Sequence, residues 1–170
     1  MPRAKALYLA IALAIGAGVA WAQTVSTDFD PSANFASYKT YYWEKSDPMP
    51  GNDILNGRIM ADVDAAMARR GWMKASKGQA DLAVVANVST QQQQKLDTFY
   101  TGWGGWGPVE TTVDTYLKGT LVVDLFDAKT KKLVWRGIAA DTVSDNPAKN
   151  AERVDKSVEK MFGKKFLGEE

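Results

Sequence analysis

The 170-residue sequence contains no cysteine and no histidine. Without cysteine no disulfide can brace the fold, which must hold by packing alone. The same absence excludes a lipid-modified N-terminus of the kind that needs a cysteine acceptor. Without histidine the chain lacks the commonest general base near neutral pH, the usual transition-metal ligand and every triad built on imidazole. Any acid–base chemistry would fall to Asp, Glu, Lys, Tyr or Ser. No glycine-rich phosphate loop, nucleophile elbow or metal-ligand cluster is present either, so no catalytic residue, metal or cofactor is expected.

What is present begins with an export signal. Arg3 and Lys5 precede an uncharged stretch from Ala6 to Val19, and Ala20-Trp21-Ala22 follows. A positive start, a short apolar run and an A-x-A site define a secretory signal cleaved between Ala22 and Gln23. The rival, a retained anchor, is disfavoured because the 14-residue run falls short of the roughly 20 residues a spanning helix needs. The expected protein is therefore periplasmic or secreted, with no stable membrane anchor after cleavage. Residues 1–22 form the signal and residues 23–170 a single domain, long enough for a real core. Cleavage lowers Lys+Arg from 21 to 19 against 20 acids, so the net charge moves from +1 to about −1. That balance carries no footprint for nucleic acid.

Periodicity places the elements. Val25, Thr27 and Phe29 alternate with polar residues, as on a half-buried strand. A second strand, Tyr38 to Glu44, sets Tyr41 and Trp43 on one face and Tyr42 on the other. Leu55, Ile59, Val63, Ala66 and Met67 then fall at helical spacing, with Arg58, Asp62, Arg69 and Arg70 outward. Gly71 can end this helix of about 53–70. Leu82, Val84, Ala86 and Val88 alternate on a buried strand that continues as a polar extension through Gln91–Gln94 toward Tyr100. Another strand runs from about Thr111 to Phe126, turns through 127–132 and returns from Leu133 to about Val143, with Leu133, Trp135 and Gly137 on one face and Arg136 toward solvent. Asp145 is the expected cap and Pro147 the first turn of a second amphipathic helix, 147–162. The expected fold is α+β, about five mostly antiparallel strands in the order ββαβββα, with two helices on one face.

Several motifs resemble those of the bacterial envelope family known as Domain of Unknown Function 4136. They are Phe35-x-x-Tyr38-x-Thr40-Tyr41-x-Trp43, Arg70-Gly71-Trp72, Ala80-Asp81-Leu82, a Gly/Trp loop, Gly119 to Asp127, and Leu133-Val134-Trp135-Arg136-Gly137. The resemblance implies an exported protein of unassigned activity. Relatives are often lipoproteins, and this sequence departs from them by lacking the lipid-accepting cysteine.

The candidate contact surface is the segment Phe99 to Pro108, where Phe99, Tyr100, Trp103 and Trp106 lie among glycines. Tyr100, Trp103 and Trp106 are the candidate binding residues. Exposed, they would offer flat apolar faces with polar edges to an envelope protein or a glycan; folded back, they would form a small core over one end of the sheet. A second hypothesis, a carboxylate-dependent hydrolase of envelope material, would need Asp124, Asp127, Asp141 and Asp145 to converge. Their structural alternatives are a turn cap for Asp127 and a helix cap for Asp145. A purely structural envelope component is the third.

Overall fold

The alternating segments become strands of one sheet, and the two amphipathic segments become the helices that cover it. The computed structural model describes residues 23–44, 53–100, 109–163 and 166–167. The strands are β1 (Thr24–Phe29), β2 (Thr40–Trp43), β3 (Met73–Lys74), β4 (Leu82–Tyr100), β5 (Val109–Asp127) and β6 (Leu133–Thr142). The helices are α1 (Asp53–Arg69) and α2 (Pro147–Phe162), and one 3₁₀ turn, Phe35–Ser37, precedes β2.

The sheet order is β1-β6-β5-β4-β2-β3. β1, β6, β5 and β4 pair antiparallel through the two hairpins and the return of the N-terminal strand. β2 runs parallel to both β3 and β4. The α+β class holds, with two refinements. The sheet has six strands rather than five, because the two residues of β3 are too few to show a period. It is mixed because α1 carries the chain from β2 back into the sheet in the same direction, as a helical crossover must.

Both helices cover one face. Ile59, Val63, Ala66 and Met67 of α1 join Val158, Met161 and Phe162 of α2 over Tyr41, Leu82, Val84, Leu121, Val123, Leu125 and Trp135. Tyr42 points the other way, into a small cluster with Ala80 and Ala83. α1 ends at Gly71, whose φ of 79° suits glycine. There the Trp72 amide donates to the Met67 carbonyl (3.1 Å) and the Gly71 amide to that of Ala68 (2.9 Å). This pair of bonds satisfies the last carbonyls and turns Trp72 into the core beside Met67. At the start of α2 the cap is Asn146, not Asp145: its Oδ1 accepts from the amides of Ala148 (2.9 Å) and Lys149 (3.4 Å). With Pro147 as the first helical residue, the capping position falls on the residue just before it.

The β5–β6 register shifts at Leu125/Phe126. Val134 and Trp135 are consequently both buried and Leu133 is left exposed, which breaks the expected Leu133–Trp135 face. Trp135 lies fully buried against the rings of Phe162 and Phe166, each 4.9 Å away between centroids. Its Nε1 donates to the Phe166 carbonyl at 2.6 Å. Gly137 makes room for the indole: a Cβ there would sit 2.6 Å from Trp135 Cη2 and 2.9 Å from Met161 Sδ. Arg70 is exposed, as expected, and its guanidinium also donates to the Phe162 carbonyl (2.7 Å) and stacks 3.7 Å over the Phe166 ring. Gly137→Ala is accordingly predicted to cost about 1–3 kcal/mol through overpacking, measured by denaturant unfolding; an unchanged midpoint would show that the indole can shift freely.

Candidate functional site

β4 and β5 are each 19 residues long and pair without interruption from Leu82↔Asp127 to Tyr100↔Val109. Their neighbours stop much earlier. β6 ends at Thr142, opposite Lys118, and β2 at Trp43, opposite Val84. Among the described residues, Gln92–Tyr100 and Val109–Leu117 are therefore paired in the ladder only with each other, and the Val143 amide, donating to the Leu117 carbonyl (2.7 Å), marks the last tie to the strand beside them. At ~3.3 Å per residue this two-stranded ribbon is roughly 30 Å long. Its composition suits solvent on both faces. Gln91, Gln92, Gln94 and Lys95 are exposed, and Tyr116 donates its hydroxyl to Gln93 Oε1 (3.0 Å) across directly opposed positions. The polar extension expected at Gln91–Gln94 is thus a strand. Val113 and Leu117, 51% and 48% exposed, are its uncovered apolar side chains.

Tyr100 is the last residue of β4, and its side chain lies outside what is described. Trp103 and Trp106, in the eight residues that join the two strands, also lie outside the described residues. At the base of the ribbon a cleft of about 140 Å³ opens between sheet and helices. Leu55 and Ile59 of α1, Val88, Leu121 and Ala139 of the sheet and Val154 of α2 form its apolar walls, with Asp141, Asn150 and Arg153 among the polar groups. Arg153 donates to the Thr142 carbonyl and lies 3.8 Å from Asp141 Oδ2. Arg153 and Thr142 also line a neighbouring cavity of about 220 Å³ with Lys95, Asp114 and Tyr116. No sequence motif marks this cleft, because its lining comes from five elements. Only the i, i+3, i+4, i+7 spacing of Asn150, Arg153, Val154 and Ser157 on one helix face hinted at it.

The four aspartates do not converge. Asp124 makes a bidentate pair with Arg136 at 2.7 and 2.8 Å. Asp127 caps its turn, accepting from the amides of Lys129 (2.9 Å) and Thr130 (2.7 Å). Asp141 sits opposite Gly119, at the other end of the β5–β6 ladder and roughly 25 Å from Asp127 by strand rise. Asp145 follows the end of β6. No group of three acidic residues able to hold a metal ion occurs among the described residues.

With this geometry in hand, the sequence profile described as Domain of unknown function (DUF4136) matches residues 25–164. The chain belongs to the DUF4136 family. No curated protein sequence matches it. Among solved structures it is similar to a PDZ domain protein from Parabacteroides distasonis, at a TM-score of 0.60 and 13% identity, covering 87% of this chain and 37% of that one. It is also similar to the PelC dodecamer subunit from Paraburkholderia phytofirmans, at a TM-score of 0.50 and 14% identity, covering 83% of this chain and 97% of that one. At these identities the likeness is one of fold.

The motifs that resemble those of DUF4136 are engaged in fold contacts. Phe35 packs edge-on against Tyr38 and Phe166. The Tyr38 hydroxyl donates to Asp127 (3.1 Å), and Asp64 accepts from Tyr41 (2.8 Å) and Trp43 (2.9 Å). Asp81 Oδ2 accepts from the amides of Lys39 and Thr40 (both 3.0 Å) and from the Thr40 hydroxyl (2.8 Å). The Lys39 amide foremost, with the Thr40 hydroxyl next, holds the Asp81 carboxyl below its ordinary 3.8. The Thr130 amide foremost does the same for Asp127. Burial, then the bond to Asp127, pushes Tyr38 from 10.0 up to about 12, and burial with the Asp64 bond raises Tyr41.

A neutral phenol favoured by the fold stabilises it below the unfolded value of 10.0, and that contribution fades as pH rises through about 12. Carboxylates held low stabilise above 3.8, and the contribution fades as pH falls below it. The melting temperature is predicted to be flat between these limits and to drop on both sides. Tyr38→Phe should blunt the alkaline drop; an identical alkaline limb in that variant would contradict the assignment.

Proposed function

We propose that this DUF4136 protein is a non-enzymatic accessory or binding domain of the cell envelope, periplasmic or secreted after cleavage between Ala22 and Gln23. Its contact surface is the aromatic segment at the end of the β4–β5 ribbon, with Tyr100, Trp103 and Trp106 meeting an envelope protein or a glycan. The observation that supports this reading is the ribbon itself. A globular core gains nothing from extending two polar strands about ten residues past their neighbours. Such an extension does carry the strand ends Tyr100 and Val109 well past the last residue of β6, and the eight residues between them in the sequence are rich in tryptophan and glycine.

Aromatic side chains present large, stiff contact area at low entropic cost, and a few of them commonly carry most of a binding energy. The polar flanks of the ribbon keep the flanking strands soluble and discourage edge pairing with other chains. The hydrolase alternative loses its support with the four aspartates apart and two of them committed to a salt bridge and a turn.

Trp103→Ala with Trp106→Ala tests the proposal. In envelope pull-downs and glycan-binding assays the double variant should lose at least about tenfold in affinity, the scale of one strong interface residue. Its thermal unfolding should match that of the parent. Undiminished capture by a folded double variant would leave the tip without a role and favour a purely structural component.

A further inference from the structure

Gln23 is the residue that the proposed cleavage would leave first in the chain, and its side-chain amide is fully engaged by α2. Nε2 donates to the Arg153 carbonyl at 2.9 Å and to Ser157 Oγ at 2.6 Å. Lys160 Nζ donates to Oε1 at 2.9 Å. Ser157 is itself buried and donates onward to the Arg153 carbonyl at 2.7 Å, so the acceptor that holds Gln23 is fixed in place. Thr24, the next residue, already pairs with Ala140 in the sheet. The first residue of the processed chain is thus tied at its side chain to a helix and at its following residue to a strand.

An N-terminal glutamine has a built-in reaction. Its α-amine, when unprotonated, attacks its own side-chain carbonyl carbon; the new C–N bond closes a five-membered lactam as the Cδ–Nε2 bond breaks. Nε2 takes up the proton lost by the amine and leaves as ammonia. No co-reactant is needed, and the amine, with an ordinary pKa of about 7.7–8.0, is partly neutral at physiological pH. The lactam keeps a carbonyl oxygen but has lost both hydrogens that Nε2 donates to Arg153 and Ser157.

We propose that Gln23 is a fold-protected cyclisation site, in which the α2 clamp holds the side-chain amide and so blocks pyroglutamate formation until the N-terminus opens locally. The proposal rests on cleavage between Ala22 and Gln23. Lys160 on Oε1 would by itself make the carbonyl more reactive. The protection therefore comes from position: closing the ring draws Cδ back onto its own backbone nitrogen and takes Nε2 away from both acceptors. A reaction that must pass through such a local opening is slowed in proportion to how rarely the opening occurs. The cyclised chain, lacking the two Nε2 bonds, should in turn hold β1 less firmly against α2.

The exported protein provides the test. The mass of its N-terminal peptide first identifies the leading residue. The loss of one ammonia is then followed over time at one pH and temperature, in native buffer and in denaturant. Native protein should cyclise at least about tenfold more slowly than unfolded protein. Ser157→Ala, which removes one acceptor and the fixed hydroxyl, should bring the native rate toward the unfolded one while the protein remains folded. Equal rates in native buffer and denaturant, or a native rate in folded Ser157→Ala no faster than that of the parent, would overturn the clamp. A leading residue other than Gln23 would instead overturn the cleavage site, and this proposal with it.

Discussion

The fold depends on a tryptophan laid across a glycine. Trp135 and Gly137 are two residues apart on β6 and face the same side, so the indole can lie flat over Gly137 only because no Cβ rises beneath it. That placement brings the ring against Phe162 and Phe166 and lets its N–H reach the Phe166 carbonyl. The chain after α2 is thereby anchored to β6. Arg70 closes the arrangement from the other helix, capping α2 through the Phe162 and Gly163 carbonyls and stacking on Phe166. Three segments distant in sequence meet in one buried knot, and truncating either a Phe or the Trp would cost about 3–5 kcal/mol. A planar guanidinium is needed at Arg70, since lysine can make neither the forked bond nor the stack.

A consequence follows for the opposite end of the molecule. The knot, the α1 terminus and the hairpin at Asp127 lie at one end of the sheet, and the large buried rings concentrate there. Toward Lys118 and Thr142 the packing thins into the apolar cleft, and beyond it the ribbon carries no core residue among its described side chains. Buried packing is thus concentrated at one end of β4 and β5. On the proposed function, changes at Trp103 and Trp106 would alter recognition with little effect on the fold, which is the arrangement that scaffolded binding loops exploit.

Much of the fold was legible because its signals are local. The α2 limits 147–162 follow from Pro147 and the spacing of Val154, Val158, Met161 and Phe162. Gly71 ends α1 by a backbone requirement that reads directly from its type. Tyr41 and Trp43 against Tyr42 separate by simple alternation. Other features depended on relations between distant residues. The parallel placement of β2 beside β4 is a choice of pairing, not of propensity. The exposure of Leu133 follows from a one-residue slip against Leu125 that the β6 sequence does not encode by itself. Arg70 reads as one more outward charge until the end of α2 is brought to it. The aspartates read as a potential cluster because they are close in sequence, but the ladder places Asp127 and Asp141 at opposite ends. The cleft and the Gln23 clamp escaped for the same reason: each is assembled from separate elements.

Native-state hydrogen exchange tests most directly the claim that stability is concentrated at the knot and absent from the ribbon. The amides of Val123, Leu125 and Trp135 should exchange only through global unfolding. Those of Gln92–Gln94 and Thr115–Leu117 should exchange by local opening, at least about a hundredfold faster, although all belong to hydrogen-bonded strands. Ribbon amides as slow as those around Trp135 would contradict the account, because the ribbon would then be part of the cooperative core.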